Sequence, residues 1–332
     1  MRKFKELFPG ANFYQLQQPL ALDNIEQQLE QFRYKPIGEH TANGAGFYPM
    51  NDDPDTPLTY QHEGQTVGIF LQASRDVKMS DVNARLEKQV KNIEESTGNP
   101  VTKKQRNDIK ESIIKELMPF APVKIQRTTF VISNRDQLLI VLTKSDKVAE
   151  SALAYLRKSL GSLPVRLPRY KALPAEILAR WLRGNHTHEK HEQIYRCSIG
   201  NVKAKGRDGE MVQFKNADLR GEVMQAVFKD LDVLPVEIDL VLFSDPLAGE
   251  PTLTFNFHIP KHAQGLVVSR LELPGLFMEQ VDDLDDEGGQ HEFKTATYLV
   301  SSVLIKLFNA IGYPFGGLIT WEDVKEKTNE AV

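Results

Sequence analysis

Residues 156–165 read LRKSLGSLPV and mark the change from a helix to an extended segment. The helix before this change starts after Ser145, which is a preferred N-cap residue. It carries one apolar face: Val148, Ala149, Ala152, Leu153, Leu156 and Leu160. Gly161 stands at its end, where glycine adopts the left-handed C-cap conformation without strain. The stretch therefore predicts a helix over 145–160, followed by a strand.

Strand patterns lie upstream of this helix. Residues 127–133 and 137–143 are rich in β-branched and apolar side chains around a polar turn, and residues 58–62 and 65–71 flank Glu63-Gly64 in the same way. Both pairs predict β-hairpins. An amphipathic stretch at 22–32 adds a helix. This order of elements predicts a sheet with helices packed against it.

Residues 78–118 differ from both flanks, because they predict two helices and a short loop. The first helix ends at Gly98-Asn99-Pro100, and the second begins at Thr102, where Gln105 completes a capping box. Apolar residues recur at helical spacing in both helices. Since strand patterns lie on either side, we expect a helical hairpin that projects as an arm from the sheet.

The C-terminal part also alternates as antiparallel strands do, at 236–240 and 252–259, and a final helix is predicted from about 294 to 311. The predicted class is α+β, with antiparallel sheets, packed helices and the arm. We expect an N-terminal sheet domain at 1–77 and 119–170, the arm at 78–118, and a C-terminal α+β domain at 171–332.

Composition favours a globular protein of the cytoplasm. One cysteine, Cys197, excludes an intramolecular disulfide and a CxxC-type zinc site. The N-terminus lacks the apolar run of a signal peptide, and the apolar stretch 298–305 is too short to span a bilayer. We expect no membrane association.

Charge is distributed unevenly along the 332 residues. The net charge is −4, yet residues 151–207 hold 12 basic and 3 acidic residues, a local charge of +9. Residues 1–150 are balanced, and residues 208–332 carry −13. Because a phosphate backbone responds to the local field, segment 151–207 is a candidate DNA-binding surface in an acidic protein. An uneven but inert solvated surface is the alternative.

Four segments together resemble the RdgC family. The run at 156–165 is similar to the family signature, residues 110–119 (KESIIKELMP) to its finger helix, residues 179–182 (ARWL) to a Trp-containing segment, and residues 203–208 (KAKGRD) to a basic stretch. The resemblance covers about residues 20–210. It departs from the family at Phe120-Ala121-Pro122, where relatives usually have Arg-Ala-Phe, and at Gly206-Arg207, where they have Lys-Gln.

The resemblance implies a function without chemistry. It implies a ring-shaped homodimer around duplex DNA, bound without sequence preference, which opposes the strand-exchange recombinase and is associated with the nucleoid. Single-stranded DNA is a further ligand to consider. No cofactor is implied, and no P-loop, nucleophile elbow or zinc-protease motif occurs in the sequence. We therefore expect a protein that is not an enzyme.

Twelve cations are candidate phosphate contacts. They lie in the arm, at the end of the 145–160 helix, in the segment after it and in the later basic stretch: Lys103, Lys104, Arg106, Lys110, Arg157, Lys158, Arg166, Arg169, Lys171, Lys203, Lys205 and Arg207. Solvated surface charge is the alternative for each, and helix-end stabilisation for Arg157 and Lys158. The last three alternate as on one strand face. Phe120 is a candidate wedge or dimer contact by resemblance, although Phe120 and Phe130 near the arm base are core residues on general grounds.

Two acidic or histidine-rich segments suggest weaker alternatives. His186, His188 and His191 motivate a metal-dependent nuclease, but they follow Arg183-Gly184-Asn185 in a predicted loop rather than on a rigid element. The acidic run within 279–292 lacks the spacing of a calcium loop and is expected to be solvated. We expect no metal site at either segment.

Overall fold

The computed structural model describes residues 10–49, 53, 55–184, 195–196, 199–242, 253–259, 267–272 and 290–319. These residues form a mixed α+β fold, which confirms the predicted class. Their thirteen strands are β1 Gly10–Leu16, β2 Asn43–Tyr48, β3 Thr59–His62, β4 Gln65–Arg75, β5 Val123–Ser133, β6 Leu138–Val141, β7 Val165–Arg166, β8 Tyr195–Arg196, β9 Ile199–Lys205, β10 Met211–Asp218, β11 Leu234–Leu242, β12 Leu253–His258 and β13 Val267–Glu272. Their seven α-helices are α1 Ile25–Glu30, α2 Met79–Thr97, α3 Lys103–Leu117, α4 Asp146–Leu160, α5 Pro174–Leu182, α6 Glu222–Asp230 and α7 Gln290–Ile311.

All the strands belong to one sheet, whose main path runs β10-β9-β11-β12-β13-β1-β6-β5-β4-β2. Every pairing of named strands in it is antiparallel. Strand β1 links the two halves of this path, five strands on one side and four on the other, because it pairs with β13 and with β6. Ala11 lies opposite Val268 at the first of these pairings, and Phe13 lies opposite Ile140 at the second. The predicted domain boundary after residue 170 stays a prediction. Strands β1 and β13, which come from opposite sides of this boundary, are hydrogen-bonded to each other.

One face of the N-terminal half-sheet is covered by α1 and α4. Leu29 of α1 and Leu153 and Leu156 of α4 are buried there against Phe47 and Phe130. These helices supply the apolar stripe that the 3.6-residue period of the sequence predicted.

The opposite face of the sheet carries α5, α6 and α7, and this core extends over both halves. Leu178 and Phe228 are fully buried in it, from α5 and α6 respectively. Phe13 of β1 stacks on Phe308 of α7, with ring centroids 5.3 Å apart. Helix α7 therefore rests on the strand that joins the two halves.

A span that begins within α7 and ends just after it, Thr297–Phe315, is long and apolar enough to cross a membrane by length and composition. Val300, Leu304, Leu307 and Phe308 of this span are buried against the sheet. Such burial is typical of the central helix of a globular core, as the sequence predicted.

The helical hairpin forms the connection between the paired strands β4 and β5. Arg75, the last residue of β4, lies opposite Val123, the first residue of β5, and helices α2 and α3 lie between them in the chain. The hairpin has its own small core, formed by Val82, Leu86, Val90 and Ile113. It is the arm that the sequence predicted.

Arg75 fixes the base of the arm. Its guanidinium donates to the carbonyl of Ala121 at 3.0 Å and to the carbonyl of Gly38 at 3.1 and 3.2 Å. The side chain thus joins the chain leaving the arm to the loop before β2.

Local signals in the sequence place most element ends correctly. Glu63 and Gly64 both have positive φ in the β3–β4 turn, and Gly98 and Gly161 are left-handed C-caps. Thr102 and Gln105 form the predicted capping box. Ser145 is at the N-cap of α4, but its side chain makes no capping hydrogen bond, so that detail of the prediction is wrong. Helix α7 begins four residues before the predicted start.

We expect Phe13→Ala to lower the free energy of unfolding by about 3–5 kcal/mol, because it removes the β1 ring that packs on Phe308 of α7. Urea unfolding followed by circular dichroism measures this. Val223→Ala is the control, since that side chain is 73% exposed and its truncation should cost less than about 0.5 kcal/mol. Equal effects of the two changes would contradict the central role of β1.

Candidate nucleic-acid interface

The tip of the arm carries a cluster of cations. Helix α2 leads away from the sheet and α3 returns, so that the first turn of α3 lies at the arm's outer end. Lys103, Lys104 and Arg106 are exposed there, and Lys110 is half-buried further along the helix. No acidic residue lies in this first turn, so the cations oppose the helix dipole at a cost of about 0.3–1 kcal/mol each.

None of these four cations has an ion-pair partner within the described part of the chain. Their charge is therefore available to an external anion. At 1.5 Å per residue, a helix of this length holds the tip about 20 Å from the base of the arm.

Arg157 and Lys158 are exposed in the last turn of α4. The Lys158 ammonium lies 5.4 Å from the centre of the Tyr155 ring, which is within cation–π range. The helix dipole also favours cations at this end, so both residues have a structural role beside the predicted contact.

Arg166 is engaged inside the protein. Its Nε donates to Gln15 Oε1 at 3.2 Å, and its guanidinium also donates to the carbonyl of Ile319. It thereby ties β7 to β1 and to the segment after α7. Arg169 and Lys171 are exposed nearby.

Two of the three cations predicted on one strand face lie on β9. Val202 and Ala204 point into the core, so Lys203 and Lys205 point to the other face of the sheet. Lys203 Nζ is 2.6 Å from Glu237 Oε2 on β11, and this pair neutralises part of the predicted charge.

Arg207 lies beyond the end of β9, in the turn before β10, and not on the strand face as predicted. Gly209 has φ +92° in the same turn, so the chain reverses there and the two-residue alternation stops at Lys205. Arg207 forms an ion pair with Asp232 at 2.8 Å.

Two arginines that sequence reasoning missed complete a cleft beside this turn. Arg180 and Arg183, at the end of α5, line a cavity of about 370 Å³ together with Lys205 and Arg207. Their three-residue spacing on an amphipathic helix was a usable signal, because it places both on one helix face. The predicted cations are thus spread over the arm tip, the end of α4 and this cleft.

Phe120 and Phe130 have opposite environments. Phe130 is fully buried, as predicted, whereas Phe120 is 86% exposed in a short 3₁₀ turn at the base of the arm, so the core interpretation was wrong for it. Val123 and Ile125 at the start of β5 are exposed as well. Phe120 therefore lies about 20 Å from the tip that carries the cations, at 1.5 Å per helical residue.

The predicted metal-nuclease alternative gains no support. His186, His188 and His191 lie outside the described residues, as do most of residues 279–292. Among the residues that the structure describes, no group of three or more His, Cys, Asp or Glu side chains could hold a metal ion.

Comparison with known proteins identifies the family. The family model described as "Putative exonuclease, RdgC" matches residues 6–318. The chain belongs to the RdgC family.

Its relatives include the recombination-associated proteins RdgC of Pseudomonas entomophila, with 27% identity over 93% of this chain and 97% of the relative, and of Haemophilus influenzae, with 26% identity over 93% and 98%. The RdgC of Pseudomonas aeruginosa is 28% identical over 92% of this chain and 97% of the relative. The resemblance stated from four short segments thus extends over nearly the whole chain. The name of these relatives refers to recombination, while the description of the family model refers to an exonuclease.

We expect Arg166→Met to lower the free energy of unfolding by about 1.5–3 kcal/mol, because it removes charged hydrogen bonds to Gln15 and Ile319. Its effect on DNA affinity should be small. Arg169→Met is the matched control, since Arg169 is exposed and should change stability by less than about 0.5 kcal/mol. Thermal unfolding and a DNA titration on both variants measure this, and an unchanged stability of Arg166→Met would contradict the internal role.

Proposed function

We propose that this chain binds duplex DNA without sequence preference, through backbone phosphates, and carries out no chemistry on it. The observation that carries the proposal is the set of exposed cations without carboxylate partners in the described residues. Lys103, Lys104 and Arg106 at the arm tip and Lys205 on β9 belong to it, in a protein of net charge −4. Phosphate contacts supply affinity but carry no direct sequence information.

The energetics favour this interpretation of the arm. Three cations in the first turn of α3 oppose the dipole of that helix, and no acidic side chain lies in the same turn. Bound phosphates would compensate all three and release counterions from the DNA. The name of the relatives, which refers to recombination, supports DNA as the partner.

We further propose that two copies form a ring-shaped homodimer around the duplex. The exposed side chains of Phe120, Val123 and Ile125 make an apolar area at the base of the arm, which a second copy could cover. Such a ring would limit access of the strand-exchange recombinase to DNA. The protein would then act in the cytoplasm, in association with the nucleoid.

We expect the change Lys103→Gln, Lys104→Gln and Arg106→Gln to flatten the salt dependence of duplex binding. The slope of log K against log salt should fall by about 2.7 if all three contact phosphates, at about 0.9 per contact. Loss of helix cannot explain such a result, because removing these cations favours α3. Fluorescence anisotropy with two duplexes of unrelated sequence, at several salt concentrations, measures both the slope and the sequence dependence.

The matched control replaces three exposed lysines outside the candidate set, Lys35, Lys229 and Lys306, by Gln. It changes the net charge equally and should leave the slope nearly unchanged. A wild-type affinity that does not depend on salt, or an equal loss of slope in both triple variants, would refute binding by the arm tip.

We expect Phe120→Asp to weaken dimer formation by about 30-fold or more, because an aromatic anchor at the centre of an interface contributes at least about 2 kcal/mol. Sedimentation equilibrium measures this. Val223→Asp, an equally drastic change at an exposed residue of α6, is the control. The Phe120 variant should also inhibit strand exchange less, and a wild-type protein that is monomeric at all concentrations would refute the ring.

A further inference from the structure

The arginine-lined cleft is formed by three elements that are distant in the chain. The end of α5 gives Arg180 and Arg183, the turn after β9 gives Arg207, and the short loop between α6 and β11 gives Asp232. Lys205 and Glu176 complete its charged lining, and its volume is about 370 Å³. Four cations face two carboxylates, so the cleft has a net charge of +2.

Asp232 already acts as an internal anion in this cleft. Its Oδ2 lies 2.8 Å from an Nη of Arg207, and its Oδ1 lies 3.7 Å from an Nη of Arg183. The two guanidinium groups flank this carboxylate as arginines flank a bound phosphate. The pair with Arg207 is exposed, and such pairs contribute only about 0–1 kcal/mol, so a stronger anion can replace it.

The backbone at Asp232 holds its carboxylate in this position. Its φ is +44°, in the left-handed region that Asp and Asn tolerate better than most residues. Asparagine can therefore replace Asp232 without added backbone strain. The substitution Asp232→Asn thus tests the negative charge of this side chain separately from the backbone conformation.

The other cations of the cleft differ in whether the protein already holds their side chains. Arg183 Nε donates to the carbonyl of Phe228 at 2.6 Å, so the direction of its guanidinium is set before any ligand binds. Arg180 and Lys205 have no ion-pair partner in the described part of the chain. The cleft thus combines one oriented arginine with two free charges.

We propose that this cleft binds a phosphomonoester, the terminal phosphate of a nucleic-acid strand. Arg180 contacts the phosphate directly, and the phosphate takes the place of the Asp232 carboxylate beside Arg207 and Arg183. The choice of a nucleic-acid strand rests on the proposed function. A phosphomonoester carries a charge of about −1.5 to −2 at neutral pH, which matches the cleft, whereas an internal phosphodiester carries only one charge.

The size of the cleft agrees with this ligand. A volume of 370 Å³ is at the small end of the range for ligand sites, which suits a group of nucleotide size at a strand end. An internal phosphate of a duplex carries only one negative charge, so it matches the cleft's charge of +2 less well than a terminal phosphate does. The cleft therefore complements the phosphate contacts proposed for duplex DNA.

Two substitutions with opposite effects test the proposal. The probes are a single-stranded octathymidylate with a 5′-phosphate, the same strand with a 5′-hydroxyl, and inorganic phosphate as a competitor. We expect the wild-type protein to prefer the phosphorylated strand by about tenfold, as charge-assisted hydrogen bonds to one group would give. Arg180→Gln should remove most of this preference, and Asp232→Asn should increase it by about threefold, because it removes the competing carboxylate. Lys306→Gln, which removes one exposed charge outside the cleft, should leave it unchanged.

The preference for the phosphorylated strand tests the cleft, because the two strands differ only in the terminal phosphate. Equal binding of the two strands by the wild-type protein would overturn the proposal, because internal phosphodiesters would then explain all binding. A weaker preference in Asp232→Asn would overturn it too, since Asp232 would then position the arginines rather than compete. Competition by inorganic phosphate against the phosphorylated strand only, lost in Arg180→Gln, would support it.

Duplex binding measured on the same samples separates this proposal from the proposed function. If the preference for a 5′-phosphate is lost in Arg180→Gln while duplex affinity and its salt slope stay the same, the cleft is a separate site. If the wild-type protein prefers the phosphorylated strand but binds no duplex, the proposed function fails and the cleft proposal stands.

Discussion

Pairing of β1 with β13 on one edge and with β6 on the other holds this structure together. Without β1, each half-sheet would expose an unpaired edge strand, and edge strands invite non-native pairing. Phe13 makes the same strand the support of α7, because its ring stacks on Phe308 and so fixes the helix that covers both halves. The positions of the arm and of the arginine-lined cleft relative to each other depend on this strand and on α7, which packs on it.

The charge of the surface depends on which cations already have partners. Lys203 and Arg207 are paired with Glu237 and Asp232, so the sequence count of +9 for residues 151–207 overstates the charge that a phosphate would meet there. The arm tip lies in a segment of no net charge, yet its cations have no partners in the described residues. A local count along the chain therefore identifies a basic segment, while only the fold shows where its charge is free.

Sequence reasoning predicted the elements whose signals are local. Gly98, Gly161 and the Thr102 capping box act within a few residues, and the hairpins depend on their own turns. It missed β1, because nearly every residue of that strand is buried and the polar–apolar alternation of a half-buried strand is absent. The pairing of Arg207 with Asp232 was also beyond reach, since the two residues meet only when the turn after β9 packs beside the start of β11.

The arm separates two kinds of surface that the sequence places close together. Residues 102–125 include both the cations of α3 and the exposed apolar side chains of Phe120 and Ile125, but the length of α3 holds them about 20 Å apart. The arm has its own core, and Arg75 fixes its base by donating hydrogen bonds to the carbonyls of Ala121 and Gly38. The proposed contact with DNA at the tip and the proposed contact with a second copy at the base therefore involve different side chains, and separate substitutions can test them.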